Sequence, residues 1–430
     1  MSGPFYCEAL PYEADAAHYF AAISDLPWVA WLDSGGMGRF DILTAAPCRT
    51  IKASCSDPFA ALRRELGEPV SPVDDVPFAG GALGCLGYPD RLDMQDMSIG
   101  IYDWALVLDH ERKTARLVSH RRHAETPALL EQVLQRLRAE PAELSDTFRV
   151  ESEIRCNFTK ERYLDAFSRV QEYLHSGDCY QVNLAQRFTA AARGDARAAY
   201  LKLRRMSPAP YSAYLGFPHV KILCASPERF IGVRERRVET RPIKGTRARD
   251  GDPLRDAQLA EDLACHPKDR AENLMIVDLL RNDLGKHCNP GSVRVPELFK
   301  VESYSNVHHL VSVVQGELED GLDALDMLQG CFPGGSITGA PKLRAMQIIE
   351  ELEPDPRGMY CGTIFYAGFD RNMDSNIAIR TLVYRGDEIS CWAGGGLVAD
   401  SKPEEEYQET LDKARAMLDL LQGYRGKQAD

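Results

Sequence analysis

The chain has 430 residues, of which 44% are hydrophobic and 27% are charged, and its formal net charge at pH 7 is −13. Single hydrophobic cores usually stop growing at roughly 250–300 residues, so we expect two cooperating core regions or one unusually large sandwich. The negative charge argues against nucleic acid or an anionic membrane surface as the main partner. It does not exclude an anionic small substrate, because a few local cations can outweigh the overall sign.

The sequence carries no recognisable export or membrane signal. The first 30 residues contain four acidic side chains and no unbroken apolar run, unlike a signal peptide. No stretch reaches the ~18 apolar residues that a membrane span needs. The 12 cysteines include no C-x-x-C pair, so neither a zinc site nor a redox motif is indicated. We therefore expect reduced thiols and a cytoplasmic protein.

Short strand-like runs alternate with turns in the first third of the chain. They lie at residues 28–32, 40–44, 80–87 and 105–108. Residues 126–138 then have the apolar spacing of an amphipathic helix, and a polar stretch follows at 139–146. We place a boundary there, which separates an N-terminal region, residues 1–145, from a C-terminal region, residues 150–425.

Stronger helix and strand signals follow this boundary. Thr159 can cap a helix that ends near Gly177, and residues 180–188 alternate as a strand. Pro267 suits the first turn of a helix that extends to Gly285.

The last helix begins with a capping-box pattern at residues 401–404, with proline in its first turn. Its apolar stripe consists of Tyr407, Leu411, Ala414, Leu418 and Leu421. Strands dominate between residues 364 and 392. Strands mixed with helices, without regular βαβ alternation, favour an α+β fold.

Two pairs of carboxylates lie three residues apart on predicted helices, Asp269 with Glu272 and Glu406 with Glu409. This spacing places each pair on one helix face. Glu406 and Glu409 lie away from the apolar stripe, so a solvated face is the simpler interpretation for them. Glu272 precedes apolar side chains that cover almost the whole helix between 274 and 279, and a helix that is apolar all round is buried. Two such pairs facing each other would suit Mg²⁺.

Two glycine-rich segments have both a functional and a purely structural interpretation. Residues 334–342 resemble a phosphate loop only superficially, because Ala340 and Pro341 separate the last glycine from the lysine. The glycines of residues 393–396 could admit a ligand close to the backbone. For them a bulge or a tight turn is the simpler interpretation.

Lys244, between Arg241 and Arg247, is a candidate nucleophile. A lone lysine is usually a solvent-facing charge, and such an amine becomes nucleophilic near neutral pH only where burial or neighbouring cations favour its uncharged form. No cysteine lies in a G-x-C-x-G turn, so the chain shows no thiol that could release ammonia from glutamine.

Six segments together resemble the chorismate-binding enzymes, the family of anthranilate, aminodeoxychorismate, isochorismate and salicylate synthases. They occur in the family's order within roughly residues 155–420, at 226–228, 242–246, 278–284, 309–312, 339–346 and 393–401. The resemblance implies a large antiparallel β-sandwich core flanked by helices, the fold of anthranilate synthase component I. Residues 32–34 and 39–42 also look like the amino-terminal region of aminodeoxychorismate synthases. In the family that region can hold a tryptophan, as regulator or as structural ligand.

The resemblance also implies roles for individual residues. Glu272 and Glu409 match direct ligands of Mg²⁺, supported by Asp269 and Glu406, and Asp269 stands where relatives commonly have glutamate. The ion would neutralise the ring carboxylate of chorismate. Glu228 matches the general acid that protonates the departing C4 hydroxyl.

Eight further positions match residues that bind the substrate: Thr246, His309, Ser336, Tyr360, Arg380, Gly394, Gly396 and Lys413. Tyr360 and Arg380 match residues around the enolpyruvyl carboxylate, which an arginine can hold through two parallel hydrogen bonds. Gly394 and Gly396 would offer backbone N–H groups nearby.

Two positions favour one reaction within the family. Isochorismate and salicylate synthases carry a water-activating lysine where this chain has Gln181. Anthranilate synthases usually have alanine at the position of Lys244, whereas aminodeoxychorismate synthases typically have lysine, which is thought to attack C2 before ammonia attacks C4. The resemblance therefore implies Mg²⁺-dependent amination of chorismate at C4, as in aminodeoxychorismate synthase component I of 4-aminobenzoate and folate biosynthesis.

The implied partner is a glutamine amidotransferase subunit that supplies ammonia within a heterodimer. One alternative function is that of anthranilate synthase component I. An alternative of another class is a non-catalytic, amino-acid-sensing protein, which predicts no magnesium-dependent turnover of chorismate. The joint presence of Glu228, Glu272, Glu409 and Lys244 disfavours this last alternative.

Overall fold

The structure of the protein is a computed structural model that describes residues 5–52, 57–89, 97–141, 143–304 and 307–426. Its strands, in chain order, are β1 (Tyr6–Leu10), β2 (Val29–Asp33), β3 (Phe40–Thr44), β4 (Arg49–Lys52), β5 (Gly81–Leu86), β6 (Met97–Tyr102), β7 (Ala105–Asp109), β8 (Thr114–Ser119), β9 (Arg149–Val150), β10 (Arg155–Cys156), β11 (Gln181–Arg193), β12 (Tyr211–Gly216), β13 (Lys221–Ser226), β14 (Arg229–Arg234), β15 (Arg237–Thr240), β16 (Ile243–Ala248), β17 (Arg294–Ser303), β18 (Val307–Glu317), β19 (Gly339–Ala340), β20 (Thr363–Gly368), β21 (Met373–Asn376), β22 (Thr381–Arg385) and β23 (Glu388–Leu397). Its helices are α1 (Ala17–Ile23), α2 (Pro58–Leu66), α3 (Thr126–Arg138), α4 (Lys160–His175), α5 (Ala196–Met206), α6 (Pro253–Cys265), α7 (Pro267–Gly285), α8 (Ala324–Cys331), α9 (Lys342–Leu352) and α10 (Pro403–Tyr424), with a 3₁₀ turn at Gly335–Ile337.

The strands form two large sheets. The first has 13 strands, ordered β1-β8-β7-β3-β2-β12-β13-β22-β23-β11-β10, with β9 and β19 also paired to β11. The second has 10 strands, ordered β16-β18-β15-β14-β21-β20-β5-β6-β4, with β17 also paired to β18. The strand pairs are antiparallel, for example β11 with β23 and β5 with β20. The predicted α+β class with an antiparallel sandwich core is confirmed.

Four clusters of buried apolar side chains hold these layers together. One lies between the sheets and joins β2, β3, β7, β12 and β13 of the first sheet to β5 and β20 of the second. A second packs α1, α3, α5 and α10 on the outer face of the first sheet. A third packs α2, α7 and α8 on the second sheet. The fourth packs α4 and α9 against β11.

The predicted boundary near residue 146 does not separate two sheets. Strands β1 to β8 precede the boundary, and they belong to both sheets together with strands that follow it. The predicted linker covers residues 139–146. Its described residues, 139–141 and 143–146, form no helix or strand. The division into residues 1–145 and 150–425 therefore stays a prediction about sequence organisation.

Most of the predicted helices and strands occur where expected. The helix after Thr159 is α4, and the Thr159 hydroxyl accepts a hydrogen bond from the Arg162 N–H. The helix that begins at Pro267 is α7 and ends at Gly285. The strand predicted at residues 180–188 is part of β11, but its polar face is buried as well as its apolar face.

Helix α7 is not buried all round, so that prediction is wrong. Leu274 is 45% exposed, and the side chains of Asp278 and Arg281 lie on the same open side. The buried positions recur at helical spacing, at Asn273, Ile276, Val277, Leu280, Asp283 and Leu284. Only this face packs on the sheet, and Glu272 lies at its margin.

Helix α10 differs from its prediction in its cap and in its buried face. Lys402 is the N-cap and forms no side-chain cap, so the predicted capping box is wrong. The Ser401 hydroxyl instead donates to Glu406 Oε1 at 2.6 Å. The buried face consists of Glu406, Thr410, Ala414, Met417, Leu420, Leu421 and Tyr424. It is rotated by about one residue from the predicted stripe, and this rotation carries Glu406 into the protein.

No helix within the described parts of the chain is long and apolar enough to cross a membrane.

Candidate active site

The glycines of residues 393–396 allow a close approach of helix α10 to the first sheet. They lie within β23, which pairs with β11 without interruption from Leu397, opposite Val182, to Glu388, opposite Ala191. Neither a bulge nor a turn is therefore present. A Cβ atom on Gly395 would lie 3.1 Å from Oε2 of Glu406 and 3.5 Å from Oε1 of Glu409. The missing side chain therefore leaves room for two carboxylates directly over the strand.

Carboxylates from α7 and α10 interact electrostatically, Glu272 with Glu409. Burial raises the pKa of Glu272, the nearby charge of Glu409 adds to this effect, and the charges of Lys244 and Lys268 oppose it. Burial also disfavours ionisation of Glu409, but the charge and hydrogen bond of Lys413, together with the charges of Lys244 and Lys268, outweigh it and lower the pKa of Glu409. The two acids therefore share one electrostatic environment, although they come from helices far apart in sequence.

Glu406 and Glu409 differ in exposure. Glu406 is 6% exposed, and burial raises its pKa against the hydrogen bond from Ser401. The side chain of Glu409 is 48% exposed and lies 2.6 Å from Lys413 Nζ. The expectation of a solvated face is therefore wrong for Glu406 and right only in part for Glu409.

The carboxylate cluster fits Mg²⁺ better than a metal that requires a complete protein cage. Among the described residues, no group of three or more His, Cys, Asp or Glu side chains is arranged to hold a metal ion by itself. Mg²⁺ is commonly bound by one or two carboxylates and completes its shell with water and substrate oxygens. Glu272 and Glu409 can supply two carboxylates to such a site, and a Cβ atom on Gly395 would lie 3.5 Å from Glu409 Oε1.

Asp269 is directed toward β16. Its Oδ2 atom lies 3.1 Å from Arg247 Nη2 and 3.1 Å from His266 Nδ1. A Cβ atom on Gly245 would lie 2.9 Å from its Cγ atom. Asp269 thus supports the strand that carries Lys244.

Lys244 lies among acids from three separate elements. Its charge opposes the rise in pKa that burial causes at Glu228 and at Glu272, and it contributes to the lowered pKa of Glu409. The register of β16 with β18 shifts between Ile243 and Thr246, and such a bulge re-aims a side chain. Lys244 is only partly buried, so burial alone does not define its environment.

Glu228 lies in the turn where the chain passes from β13 in the first sheet to β14 in the second. Its backbone carbonyl accepts a hydrogen bond from the Ile377 N–H. The Ser336 hydroxyl donates to Glu228 Oε1 at 3.1 Å. Burial raises the pKa of Glu228, opposed by Lys244, the Ser336 hydrogen bond, Lys413 and Arg380. A raised pKa keeps a carboxylic acid protonated and able to donate a proton.

Tyr360 and Arg380, the residues predicted to bind the enolpyruvyl carboxylate, have different surroundings. The Tyr360 ring stacks on Trp392 with 5.9 Å between centroids and an interplanar angle of 9°. Burial lowers the pKa of Arg380, opposed by the charge of Glu228. Within the described parts of the chain no side chain forms an ion pair with Arg380. A partly buried guanidinium without a protein counter-ion can accept an external carboxylate.

His309 and Thr246 face each other across β16 and β18. The Thr246 hydroxyl and His309 Nδ1 share a hydrogen bond of 2.9 Å. Burial, followed by the charge of Arg380, lowers the pKa of His309 to about 4. The imidazole is therefore neutral near pH 7 and can donate or accept a hydrogen bond without adding charge.

Electrostatic interactions and hydrogen bonds thus link most of the predicted site residues to one another. Glu228 has Lys244, Ser336, Lys413 and Arg380 among its neighbours, and Lys413 donates to the Gly394 carbonyl at 2.9 Å. Lys268 was not among the predicted site residues, although its Nζ lies 3.9 Å from Glu272 Oε1 and its i,i+4 spacing is a recognisable signal. Ser401 was not predicted as the partner of Glu406.

A separate cavity of about 360 Å³ lies between strands of the two sheets. Its lining includes residues 32–34 and 38–40 from the N-terminal region, with Tyr211, Arg241 and Ile364 from the rest of the chain. The Ser34 hydroxyl is buried and has no hydrogen-bond partner among the described residues. None of the residues that line this cavity belongs to the cluster around Lys244.

Comparisons with known proteins agree with the motifs. The family of chorismate binding enzymes matches residues 47–419. Aminodeoxychorismate synthase component 1 from Klebsiella aerogenes is 46% identical over 450 residues, which cover 96% of this chain and 98% of the relative. Anthranilate synthase component 1 from Aquifex aeolicus is 49% identical over 268 residues, 62% of this chain and 54% of the relative.

Among solved structures, anthranilate synthase component I from Streptococcus pneumoniae has a TM-score of 0.79 at 32% identity. The match covers 89% of this chain and 92% of that chain. The predicted anthranilate synthase component I-like fold is therefore confirmed, and so is the family predicted from the six motifs. The chain belongs to the family of chorismate-binding enzymes.

Proposed function

We propose that the chain aminates chorismate at C4 with ammonia and forms 4-amino-4-deoxychorismate for 4-aminobenzoate and folate biosynthesis. The observation that carries this proposal is the position of Lys244, which lies within electrostatic range of Glu228, Glu272 and Glu409 together. Relatives named aminodeoxychorismate synthase component 1 that match 96% of this chain support it.

In the proposed reaction Lys244 acts as a nucleophile on C2. Its uncharged amine forms a bond to C2, the two ring double bonds shift, and the C4 hydroxyl leaves as water with the proton of Glu228. Ammonia then forms a bond to C4, the double bonds shift back, and the bond between C2 and Lys244 breaks. Ammonia gives up one proton in this step to the Glu228 carboxylate, so both the acid and the Lys244 amine are regenerated. An internal amine thereby directs the external nucleophile to the other end of the allylic system.

The remaining residues bind and orient the substrate. Arg380, assisted by Tyr360, would hold the enolpyruvyl carboxylate, because its guanidinium has no protein counter-ion among the described residues. Gly394 and Gly396 lie on β23, and their backbone N–H groups would offer hydrogen bonds to the substrate. Ser336 orients Glu228 through its hydrogen bond. The hydrogen bond between Thr246 and His309 and the contact of Lys413 with Gly394 place three more polar groups at the cleft.

We also propose that Glu272 and Glu409 bind Mg²⁺, with Glu406 and Asp269 in supporting positions. When bound, the ion would neutralise the ring carboxylate of chorismate. Glu406 is held by Ser401, and Asp269 by Arg247 and His266. These two acids therefore fix the helix ends that carry the two ligands.

Changing Glu272 or Glu409 to glutamine is expected to raise the Mg²⁺ concentration needed for half-maximal activity by about 10-fold or more, because a ligand charge is lost from the site. A Mg²⁺ titration of activity, together with calorimetry of Mg²⁺ binding without substrate, measures the effect. The matched control is Glu405→Gln, since Glu405 lies on the same helix and pairs with the exposed Lys402. Parental Mg²⁺ binding by both Glu272→Gln and Glu409→Gln would exclude these residues as ligands.

Product identification tests the reaction directly. The purified chain is incubated with chorismate, Mg²⁺ and ammonium, and a lyase is added to convert 4-amino-4-deoxychorismate to 4-aminobenzoate. The second candidate is anthranilate synthesis, favoured by the 49% identity to the relative from Aquifex aeolicus over 268 residues. Fluorescent anthranilate and pyruvate, formed without the lyase, would establish this alternative. No turnover of chorismate would favour the amino-acid-sensing alternative.

The ammonia is proposed to come from a glutamine amidotransferase subunit. The name component 1, which several relatives carry, implies a second component, and the sequence has no G-x-C-x-G turn for glutamine hydrolysis. The chain alone should therefore use ammonium but not glutamine. Glutamine-dependent activity of the isolated chain would contradict this proposal.

The cavity of about 360 Å³ between the sheets is proposed to bind tryptophan. Leu32, Phe40 and Ile364 supply apolar surface, and Arg241, which is also paired with Glu302, supplies a cation for the carboxylate of an amino acid. The Ser34 hydroxyl is buried, and it has no partner within the described residues. It is therefore free to bind a polar end of the ligand.

Replacing Ser34 with alanine is expected to weaken tryptophan binding about 10-fold, the loss of one well-placed hydrogen bond. Calorimetry measures the affinity, and the exposed Ser168, which bonds only its own helix, provides the control variant Ser168→Ala. Assays with added tryptophan distinguish a regulator, which changes the rate, from a structural ligand, which changes only the thermal midpoint. Equal affinities of the parent and Ser34→Ala would exclude this cavity.

A cytoplasmic location is also proposed. Eleven cysteines within the described residues are free thiols, and three of them, Cys7, Cys156 and Cys265, are exposed. Free exposed thiols persist in a reducing compartment. Cell fractionation of the tagged protein tests this, and recovery outside the cytoplasm would contradict it.

A further inference from the structure

A buried ion pair lies behind the cleft, outside the set of residues assigned to substrate or metal. Glu353 follows the end of α9, and Arg357 lies four residues later, before Tyr360. Their side chains are 2% and 1% exposed. Arg357 Nη2 donates to Glu353 Oε1 at 2.6 Å and Nε donates to Oε2 at 2.8 Å, a two-point contact.

Among the described residues, this pair completes a stretch of the β11 edge, between Val182 and Phe188, that has no strand partner. The edge pairs with β19 at Gln181 and Val182 and with β10 at Phe188 and Thr189. Between these points the Ala185 N–H donates to Glu353 Oε1 at 2.9 Å. The Asn183 carbonyl accepts from Arg357 Nη2 at 2.8 Å. Buried backbone groups need partners, and here the two charged side chains replace a strand.

Arg357 also contacts the two walls of the cleft. Its Nη1 atom donates to the carbonyl of Ile337 at 3.1 Å, within the 3₁₀ turn that carries Ser336. Its guanidinium carbon lies 5.4 Å from the centre of the Tyr360 ring. The Tyr360 N–H donates to the Arg357 carbonyl at 3.1 Å. One side chain therefore joins β11, the turn of Ser336 and the residue that stacks on Trp392.

A buried pair contributes little to stability by itself, because desolvation of two charges offsets their attraction. Replacing such a pair with apolar residues of similar volume is often neutral or stabilising. What apolar residues cannot supply is the set of directed hydrogen bonds to Ile337, Asn183 and Ala185. The contribution of the pair is thus geometric.

We propose that Glu353 and Arg357 are positioning residues, which set Ser336 and Tyr360 at the distance from each other that chorismate requires. This proposal rests on the assignment of Ser336 and Tyr360 to the substrate site under the proposed function. Neither member of the pair touches the substrate. Both act through the segments that they hold.

Two variants distinguish an effect of the pair on the positions of Ser336 and Tyr360 from an effect on charge or on stability. Arg357→Lys keeps a cation beside Glu353, but a single ammonium cannot reproduce the planar fork that reaches a carboxylate and two carbonyls. The double variant Glu353→Leu with Arg357→Met removes both charges together and avoids an unpaired buried charge. The control is Glu351→Gln, which lies on α9 and forms an exposed pair with Arg169.

The decisive measurement is the KM for chorismate, accompanied by the thermal midpoint. A loss of folded enzyme lowers the apparent kcat and leaves KM unchanged, whereas displaced substrate contacts raise KM. We expect both variants to raise KM about 10-fold, a change of ~1.4 kcal/mol in binding, and to lower kcat by about 10- to 100-fold. The control should keep the parental values.

A parental KM in both variants, whatever their kcat, overturns the proposal and leaves the pair a purely structural element. Because KM is measured from the consumption of chorismate, the result does not depend on which product forms. A product other than 4-amino-4-deoxychorismate would overturn the proposed function and leave this comparison valid. If the parent consumes no chorismate, calorimetric affinities for chorismate replace KM, with the same expected ratio and the same overturning result.

Discussion

Replacement of Lys244 with alanine is expected to lower C4 amination by about 10²- to 10⁴-fold at saturating ammonium, the range found when a group that acts directly in the chemistry is removed. The variant lacks the amine that bonds to C2, so ammonia has no covalent intermediate to attack at C4. The rate is measured as 4-aminobenzoate in the assay coupled to a lyase. Circular dichroism should show an intact fold, because Lys244 is only partly buried.

Lys244→Arg distinguishes a covalent role from an electrostatic one. Arginine keeps a positive charge beside Glu228, Glu272 and Glu409 but is permanently protonated and cannot act as the nucleophile. We expect this variant to bind chorismate and to be nearly as inactive as Lys244→Ala. Lys160, an exposed lysine that pairs with Glu404, offers the control Lys160→Ala. Amination by Lys244→Arg at more than half the parental rate would show that only the charge matters.

Replacement of Glu228 with glutamine is expected to lower kcat by about 10²- to 10⁴-fold, the usual contribution of a general acid. Glutamine keeps the shape of the side chain and can still accept the hydrogen bond from Ser336, but it has no acidic proton for the departing hydroxyl. Steady-state kinetics should show a smaller change in KM than in kcat. A kcat within about 3-fold of the parental value would exclude Glu228 as the acid.

The raised pKa of Glu228 predicts a pH dependence of known sign. The acid is active when protonated, so parental activity should fall as the pH rises through the raised pKa, and Glu228→Gln should lack this decline. Burial is the main cause of the shift. Because the carboxylate is harder to form in the folded than in the unfolded chain, the stability associated with this group is complete below the ordinary pKa. It is lost as the pH rises through the folded value.

Glu228→Gln should therefore unfold at a higher urea concentration than the parent at pH 8, and the difference should vanish near pH 4, below the ordinary carboxyl pKa of about 4.3. Loss of activity together with a gain in stability is the pattern of a strained catalytic group. Lower stability at pH 8 would mean that the hydrogen bond and the charges around Glu228 outweigh its burial.

The local sequence was sufficient for most of the helices and strands that were predicted from it. Helical spacing and terminal signals predicted α3, α4 and α7 within a residue or two of their ends, and β3 was predicted with its observed bounds. These features are encoded within a few neighbouring residues, because caps and apolar periodicity act over one or two turns. The family was also predicted from the sequence alone, because the order of the six motifs is a property of the chain itself.

The buried faces of the helices were less predictable. On α10 apolar side chains lie around so much of the helix that more than one face could be buried. The face that is buried includes Glu406 and Thr410. Gly395 explains why this face is buried, because only a residue without Cβ lets the carboxylates of Glu406 and Glu409 lie over β23. On α7 the exposed Leu274 shows that an apolar run does not require burial on every side.

The site itself depended on contacts between distant segments. Asp269, Glu272, Glu406 and Glu409 were recognisable as candidates, but whether the two helices face each other is decided by the packing of α7 and α10 on different sheets. The pair of Glu353 and Arg357 gave no signal at all, because its partners lie at positions 183, 185 and 337. The sequence by itself determined the family and part of the secondary structure, and it supplied the candidates for the reactive groups. Only the tertiary structure decided which charges share a cleft, because electrostatic interactions and burial depend on distances between residues that are far apart along the chain.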